Sequence, residues 1–77
     1  MNVFEEVKAI FRDVFDDEGM EVTLEMTARD YDDWDSLAQI QLIVAAERRF
    51  HIKFTTEEMN NLKNVGDFVQ RIEEKRR

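Results

Sequence analysis

Apolar residues recur every three or four positions in three separate stretches of this chain, and that period is the strongest constraint on its fold. Val3, Val7, Ile10 and Val14 form the first series, with Phe4, Phe11 and Phe15 beside them. Glu5, Glu6, Lys8, Arg12 and Asp13 fall mostly on the opposite side. From Ser36 a second series runs through Leu37, Ile40, Ile43, Val44 and Phe50, a broad face that Leu42, Ala45 and Ala46 widen. Val65, Phe68, Val69 and Ile72 make the third. Each series predicts an amphipathic helix.

Local signals set the predicted boundaries. The first helix should end near "DDEG", where Gly19 can take a left-handed conformation. Ser36 and Gln39 fit the Ser-x-x-Gln spacing of a capping box, and "FHIKF" breaks the second helix. Thr55 and Glu58 form another candidate box, opening a short helix that runs to about Leu62. Asn64 is the candidate cap of the last helix, whose basic end, Lys75 to Arg77, suits the negative pole of a helix dipole. Between the first two helices lies "MEVTLEMT". Its alternation of Met20, Val22, Leu24 and Met26 with polar residues reads as a strand. No second run offers a pairing partner, however, so an extended loop laying alternate side chains over the core is expected. A loop of that length in a small domain is usually functional. The expected fold is all-α: three main helices, one short helix and a long acidic loop after the first.

Composition supports a helical core by elimination. The 77 residues include no cysteine, no proline and one histidine, so neither a disulfide nor a thiolate metal site can staple the fold. One domain over 1–77 is expected. The longest apolar run, Leu42 to Ala46, is far short of a membrane span, and the N-terminus lacks a basic region ahead of an apolar block. A cytoplasmic, monomeric protein is the expectation. The net charge of −7 argues against nucleic acid as a partner. Residues 1–35 hold twelve acidic and three basic side chains, whereas residues 36–77 hold six and eight. A partner steered by that field presents positive charge to the first part.

"DYDDWDSLAQIQLI" places four aspartates and a tryptophan ahead of Ser36, the chain's one serine. As a plain helix cap, Ser36 would be ordinary. As a catalytic nucleophile it lacks a base and an orienting partner. As an attachment point, it has a hydroxyl at a helix start, where free N–H groups favour a phosphate. That use needs no base on the protein, because an external enzyme performs the chemistry. An EF-hand loop starting at Asp30 fails, with Trp34, Asp35 and Gln41 where acid, Gly and Glu are required.

"WDSLAQIQLIVAAERRFHIKFTTEEM" followed by "NVGDFVQRI" resembles the acyl carrier protein family, from about Leu24 to Ile72. Asp-Ser-Leu alone is a weak string. Its specificity comes from the helix onset, the Glu47 to Phe54 pattern, the "TTEEM" turn and "NVGDFV" at the right distance. The resemblance implies a four-helix bundle without catalytic activity, carrying acyl or aminoacyl groups as thioesters on a 4′-phosphopantetheine arm derived from coenzyme A. It implies Ser36 as attachment residue, with Asp35 positioning Mg²⁺ and the transferase, and Leu37 beginning a docking surface. Asp33, Trp34, Gln41 and Glu47 are the further docking candidates. A phosphopantetheinyl transferase, acyl or aminoacyl ligases and acyltransferases are the implied partners, and no resident metal is implied.

Several positions depart from the family pattern. Asp33 stands where glycine is common, Trp34 where a small residue is usual, and Gln39, Gln41, Arg48 and Arg49 where acids are frequent. The "WDSL" form with "RF-x-IKF" resembles stand-alone carriers of specialised pathways such as envelope-polysaccharide modification, secondary metabolism or aminoacyl transfer, more than carriers of primary fatty-acid synthesis. Two readings stay open for Trp34, a cover for the core edge or a partner contact. Met20, Met26 and Met59 either line an adaptable acyl cavity or anchor the loop. Ala45 and Ala46 leave room for a chain, and His51 is a surface residue between helices. The rival readings are an unmodified helical adaptor and a divalent-ion module, both using the Asp30 to Asp35 loop.

Overall fold

The side chain of Asn2 opens the first helix by accepting the N–H groups of Phe4 and Glu5, at 2.7 and 3.3 Å. In the computed structural model, which describes residues 2–76, helix α1 then spans Val3–Val14. Its end differs from the sequence expectation. Asp16, not Gly19, takes the left-handed conformation, with φ 51°. Asp17 N–H then reaches the Arg12 carbonyl at 2.9 Å, and Asp16 N–H that of Asp13. This is a Schellman closure built on an aspartate, whose short polar side chain tolerates the left-handed region.

Helix α2 covers Ser36–Phe50, α3 Thr56–Asn60 and α4 Val65–Lys75. The Thr55/Glu58 capping box forms as expected. Asn64 caps α4, and Asp67 completes a box there. Arg77, part of the anticipated basic end, lies outside the described residues. Helix α1 packs on both α2 and α4. At the centre, Phe11 meets Trp34 and Phe68 edge-on, with ring centroids 5.1 and 5.9 Å apart. Val7, Leu42, Val65 and Ile72 close around them, and no polar or charged residue is buried among the described residues.

The second helix buries only one side of the broad face its pattern suggested. Ala38, Leu42, Ile43 and Ala46 face the core, whereas Leu37, Ile40 and Val44 are exposed. Nearly every side of this helix is apolar, so periodicity cannot choose between faces. The bundle selects the row in which small alanines flank Leu42. Helix α2 ends where His51 adopts φ 56° and Ile52 N–H reaches the Glu47 carbonyl.

The loop after α1 lies extended against the start of α4. Met20, Val22 and Met26 are buried as expected, but Leu24 is 42% exposed. Its contribution comes through the backbone instead. The Leu24 carbonyl accepts Gly66 N–H at 2.8 Å, and the Met26 carbonyl accepts Val65 N–H at 3.0 Å. Two donors left free by the first turn of α4 are thereby satisfied. A Cβ at Gly66 would stand 3.2 Å from that Leu24 oxygen, so the close approach favours glycine. The loop does find one pairing partner, an isolated antiparallel bridge between Thr27 and Asn64. A 3₁₀ turn at Ala28–Asp30 follows, boxed by Thr27 and Asp30.

Candidate functional site at the start of helix α2

Three short hydrogen bonds shape the approach to Ser36. Trp34 N–H donates to the Tyr31 carbonyl at 3.0 Å, and Asp35 N–H to that of Asp33 at 3.0 Å. The Asp35 carboxylate then accepts Ala38 N–H at 2.9 Å, so the cap is Asp35 and not Ser36. Aspartate caps about as well as serine. It stands one residue earlier and leaves Ser36 in the first helical turn. The expected Ser36–Gln39 box therefore does not form, and the serine hydroxyl has no capping duty. Ser36 is exposed.

Gln39 is used differently. Its Oε1 accepts the indole N–H of Trp34 at 2.6 Å, and its Nε2 donates to the Leu62 carbonyl at 3.3 Å. One side chain thus ties the segment before Ser36 to the connection between α3 and α4. Trp34 itself is 5% exposed and belongs to the core edge, which leaves it little surface for a partner. An open groove of about 850 Å³ starts at Ser36. Trp34, Ile40 and Leu62 contribute its apolar wall, and Arg29 and Lys63 its two cationic residues.

Among the other docking candidates, Asp33 and Gln41 are exposed, as is Leu37. Glu47 is half-buried, and its Oε2 accepts Phe54 N–H at 2.9 Å, joining the end of α2 to the turn before α3. That bond gives Glu47 a structural role the sequence did not signal. Asp30 is drawn into its local box, where its Oδ2 accepts Thr27 N–H at 2.9 Å. Tyr31 O–H donates to Asp17 at 3.0 Å, and this bond, with partial burial and the nearby Asp17 and Asp33 charges, raises the Tyr31 pKa.

The resemblance marked Leu37 as the beginning of a docking surface, but the sequence did not single out Ile40 and Val44 as its continuation, although their spacing of three and four was the available signal. It missed Arg29, Lys63 and Leu62 as neighbours of Ser36 altogether. No local pattern marks them, because the bridge and the Gln39 bond that assemble the groove span long stretches of chain.

The sequence model of the phosphopantetheine attachment site matches residues 5–72. The chain belongs to the acyl carrier protein family. This carrier is 45% identical over 75 residues to the acyl carrier protein of Streptococcus pyogenes serotype M1, covering 97% of each chain. It is 34% identical to that of Helicobacter acinonychis, over 96% of this chain and 95% of the relative. Its fold matches the solution structure of a holo acyl carrier protein from Geobacter metallireducens with a TM-score of 0.90, at 43% identity. That match covers 97% of this carrier and 86% of the other chain. The expected four-helix architecture is the one observed, and the protein is a carrier, not an enzyme. Its prosthetic group is 4′-phosphopantetheine, whose terminal thiol supplies the thioester chemistry that a chain without cysteine lacks. Among the described residues, no helix is long and apolar enough to cross a membrane. No group of three or more His, Asp or Glu there stands where it could hold a metal ion, and the divalent-ion reading gains no support.

Proposed function

We propose that Ser36 is the attachment residue and that this carrier delivers acyl or aminoacyl thioesters to the enzymes of a specialised biosynthetic pathway. The observation that carries the first part is the release of Ser36 from capping. Asp35 satisfies the helix start, so the lone serine presents an exposed hydroxyl at the rim of a groove. During loading, a phosphopantetheinyl transferase would supply the base that takes the Ser36 proton and the metal ion that steadies the phosphate, so that the serine oxygen forms the new P–O bond as the pyrophosphate bond of coenzyme A breaks and adenosine 3′,5′-bisphosphate leaves. Asp35, exposed beside Ser36, contributes negative charge to that metal's surroundings. Leu37, Ile40 and Val44 form the apolar row on which partner enzymes dock, with Asp33 at the attachment end and Gln41 alongside the row.

The specialised assignment rests on charge. Gln39 and Gln41 carry no charge, Gln39 is committed to Trp34 and Leu62, and Arg48 and Arg49 make the far end of α2 basic. Partners that dock through basic rims meet a mismatch there, which lowers encounter rates. Cytoplasmic residence and a monomeric state complete the proposal. The test loads the carrier with acyl and aminoacyl groups and presents it to a fatty-acid ketosynthase. Transfer slower than from a fatty-acid carrier, and restored by Arg48→Glu with Arg49→Glu, supports the specialised assignment. Transfer at full rate from the unaltered chain contradicts it.

A further inference from the structure

We propose that the end of α2 remote from Ser36 docks an acidic surface on a partner enzyme, with Arg48 and Lys53 meeting its carboxylates beside Val44 and Ile52. This rests on Leu37, Ile40 and Val44 being the docking row. Arg48 continues that row, because the four residues are spaced by three, four and four. His51 then turns the chain at φ 56°, and Lys53 follows. Arg48 and Lys53 are both exposed. An open hollow of about 530 Å³ lies here, lined by Val44, Glu47, Arg48, His51, Ile52 and Lys53. Its one carboxylate, Glu47, is occupied by Phe54 N–H. Neither Arg48 nor Lys53 forms an ion pair among the described residues, so both charges are open to a partner. Arg49, by contrast, is 3.4 Å from Glu6.

The footprint on α2 therefore carries two signs. Asp32, Asp33 and Asp35 stand exposed at the Ser36 end, the apolar row follows, and Arg48 and Lys53 close it. Arg48 comes twelve residues after Ser36, about 18 Å along the helix. The complementary partner has cations at its active-site mouth and carboxylates about 18 Å away. A partner turned end for end brings like charges together at both poles, so the pattern fixes direction as well as choice. An anionic membrane fits this end less well. Recognition of that kind uses clusters of about four to eight cations, whereas two unpaired ones stand here on a chain of net charge −7.

The test pairs the full-length carrier with a fatty-acid ketosynthase in two forms. One is the natural enzyme, and in the other the rim cations facing the end of α2 are replaced by Glu. The loaded carrier should transfer to the acidic-rim form with a KM several-fold lower and kcat little changed, and high salt should erase the difference. Arg48→Gln with Lys53→Gln should abolish the preference while circular dichroism stays that of the parent. Lys8→Gln, which removes a cation paired with Glu5 on α1, should keep it. With the unloaded, ¹⁵N-labelled chain, the acidic-rim form should move the amide signals of Val44, Arg48, Ile52 and Lys53. Those shifts in a chain that no transferase loads would uphold this dock and remove the role of Ser36. Equal KM for both forms, a preference surviving the double variant, or its loss in Lys8→Gln overturns the proposal. Binding through Arg48 and Lys53 to phosphatidylglycerol vesicles, with no preference between the enzymes, overturns it in favour of a membrane.

Discussion

The indole N–H of Trp34 and the side-chain carbonyl of Gln39 are 2.6 Å apart, and this bond fastens the segment carrying Ser36 to the bundle. Trp34 simultaneously packs edge-on against Phe11, the aromatic hub of the core. Gln39 completes the link by donating to the Leu62 carbonyl. The position of Ser36 is thus set by the core on one side and by the α3–α4 connection on the other.

Gln39→Ala leaves the nearly buried indole N–H without its acceptor. An orphaned donor of this kind costs about 1–3 kcal/mol. Urea unfolding followed by Trp34 emission should show that loss, and an unchanged midpoint would mean that water replaces the amide without cost.

Asp35 has two roles that substitution can separate. Asp35→Ala removes the cap and should cost about 1 kcal/mol, within a range of 0.5–2, while the helical circular dichroism stays native-like. Asp35→Asn keeps the acceptor for Ala38 N–H but removes the charge. It should hold nearly full stability yet load more slowly with a transferase and Mg²⁺. If Asn loads as fast as Asp, the carboxylate serves only as a cap.

These particulars show which features a sequence displays. The boxes at Thr55/Glu58 and the Asn64 cap were legible because a cap is a contract among four neighbouring residues. The start of α2 misled for the same local reason: Asp35 and Ser36 are both good caps, and spacing to Gln39 favoured the wrong one. Nor could pattern choose the buried side of α2, since Leu37, Ile40 and Val44 are as apolar as Leu42 and Ile43. Only the placement of α1 decides. For Trp34, the core-edge reading agrees with its burial, and the docking reading does not.

The two apolar rows of α2 should respond oppositely to truncation. Leu42→Ala, at a site with no exposure, should cost about 2–5 kcal/mol. Ile40→Ala, at 58% exposure, should stay within about 0.5 kcal/mol of the parent. Its effect should instead appear as a raised KM for the transferase. A large stability loss at Ile40 and unaltered loading would remove this row from the docking surface.

Glu58 gives the fold an acid-sensitive joint. Its pKa is lowered by the Lys75 ammonium, 2.8 Å away, and by Thr55 N–H. A depressed folded pKa means stability that is complete above the ordinary value of 4.5 and lost as pH falls through the lower folded value. Melting temperatures of Glu58→Gln and the parent should therefore converge on acidification through that window. A gap that stays constant across it would show that the charge contributes nothing.

The most direct test of the account is to locate the arm. After loading with coenzyme A, Mg²⁺ and a transferase, tryptic cleavage after Arg29 and Arg48 releases a peptide in which Ser36 and Tyr31 are the only side-chain hydroxyls. Fragment masses should place a single phosphopantetheine on Ser36, with none on Ser36→Ala. An arm on another residue, or a peptide that stays unmodified with every transferase tried, would contradict it.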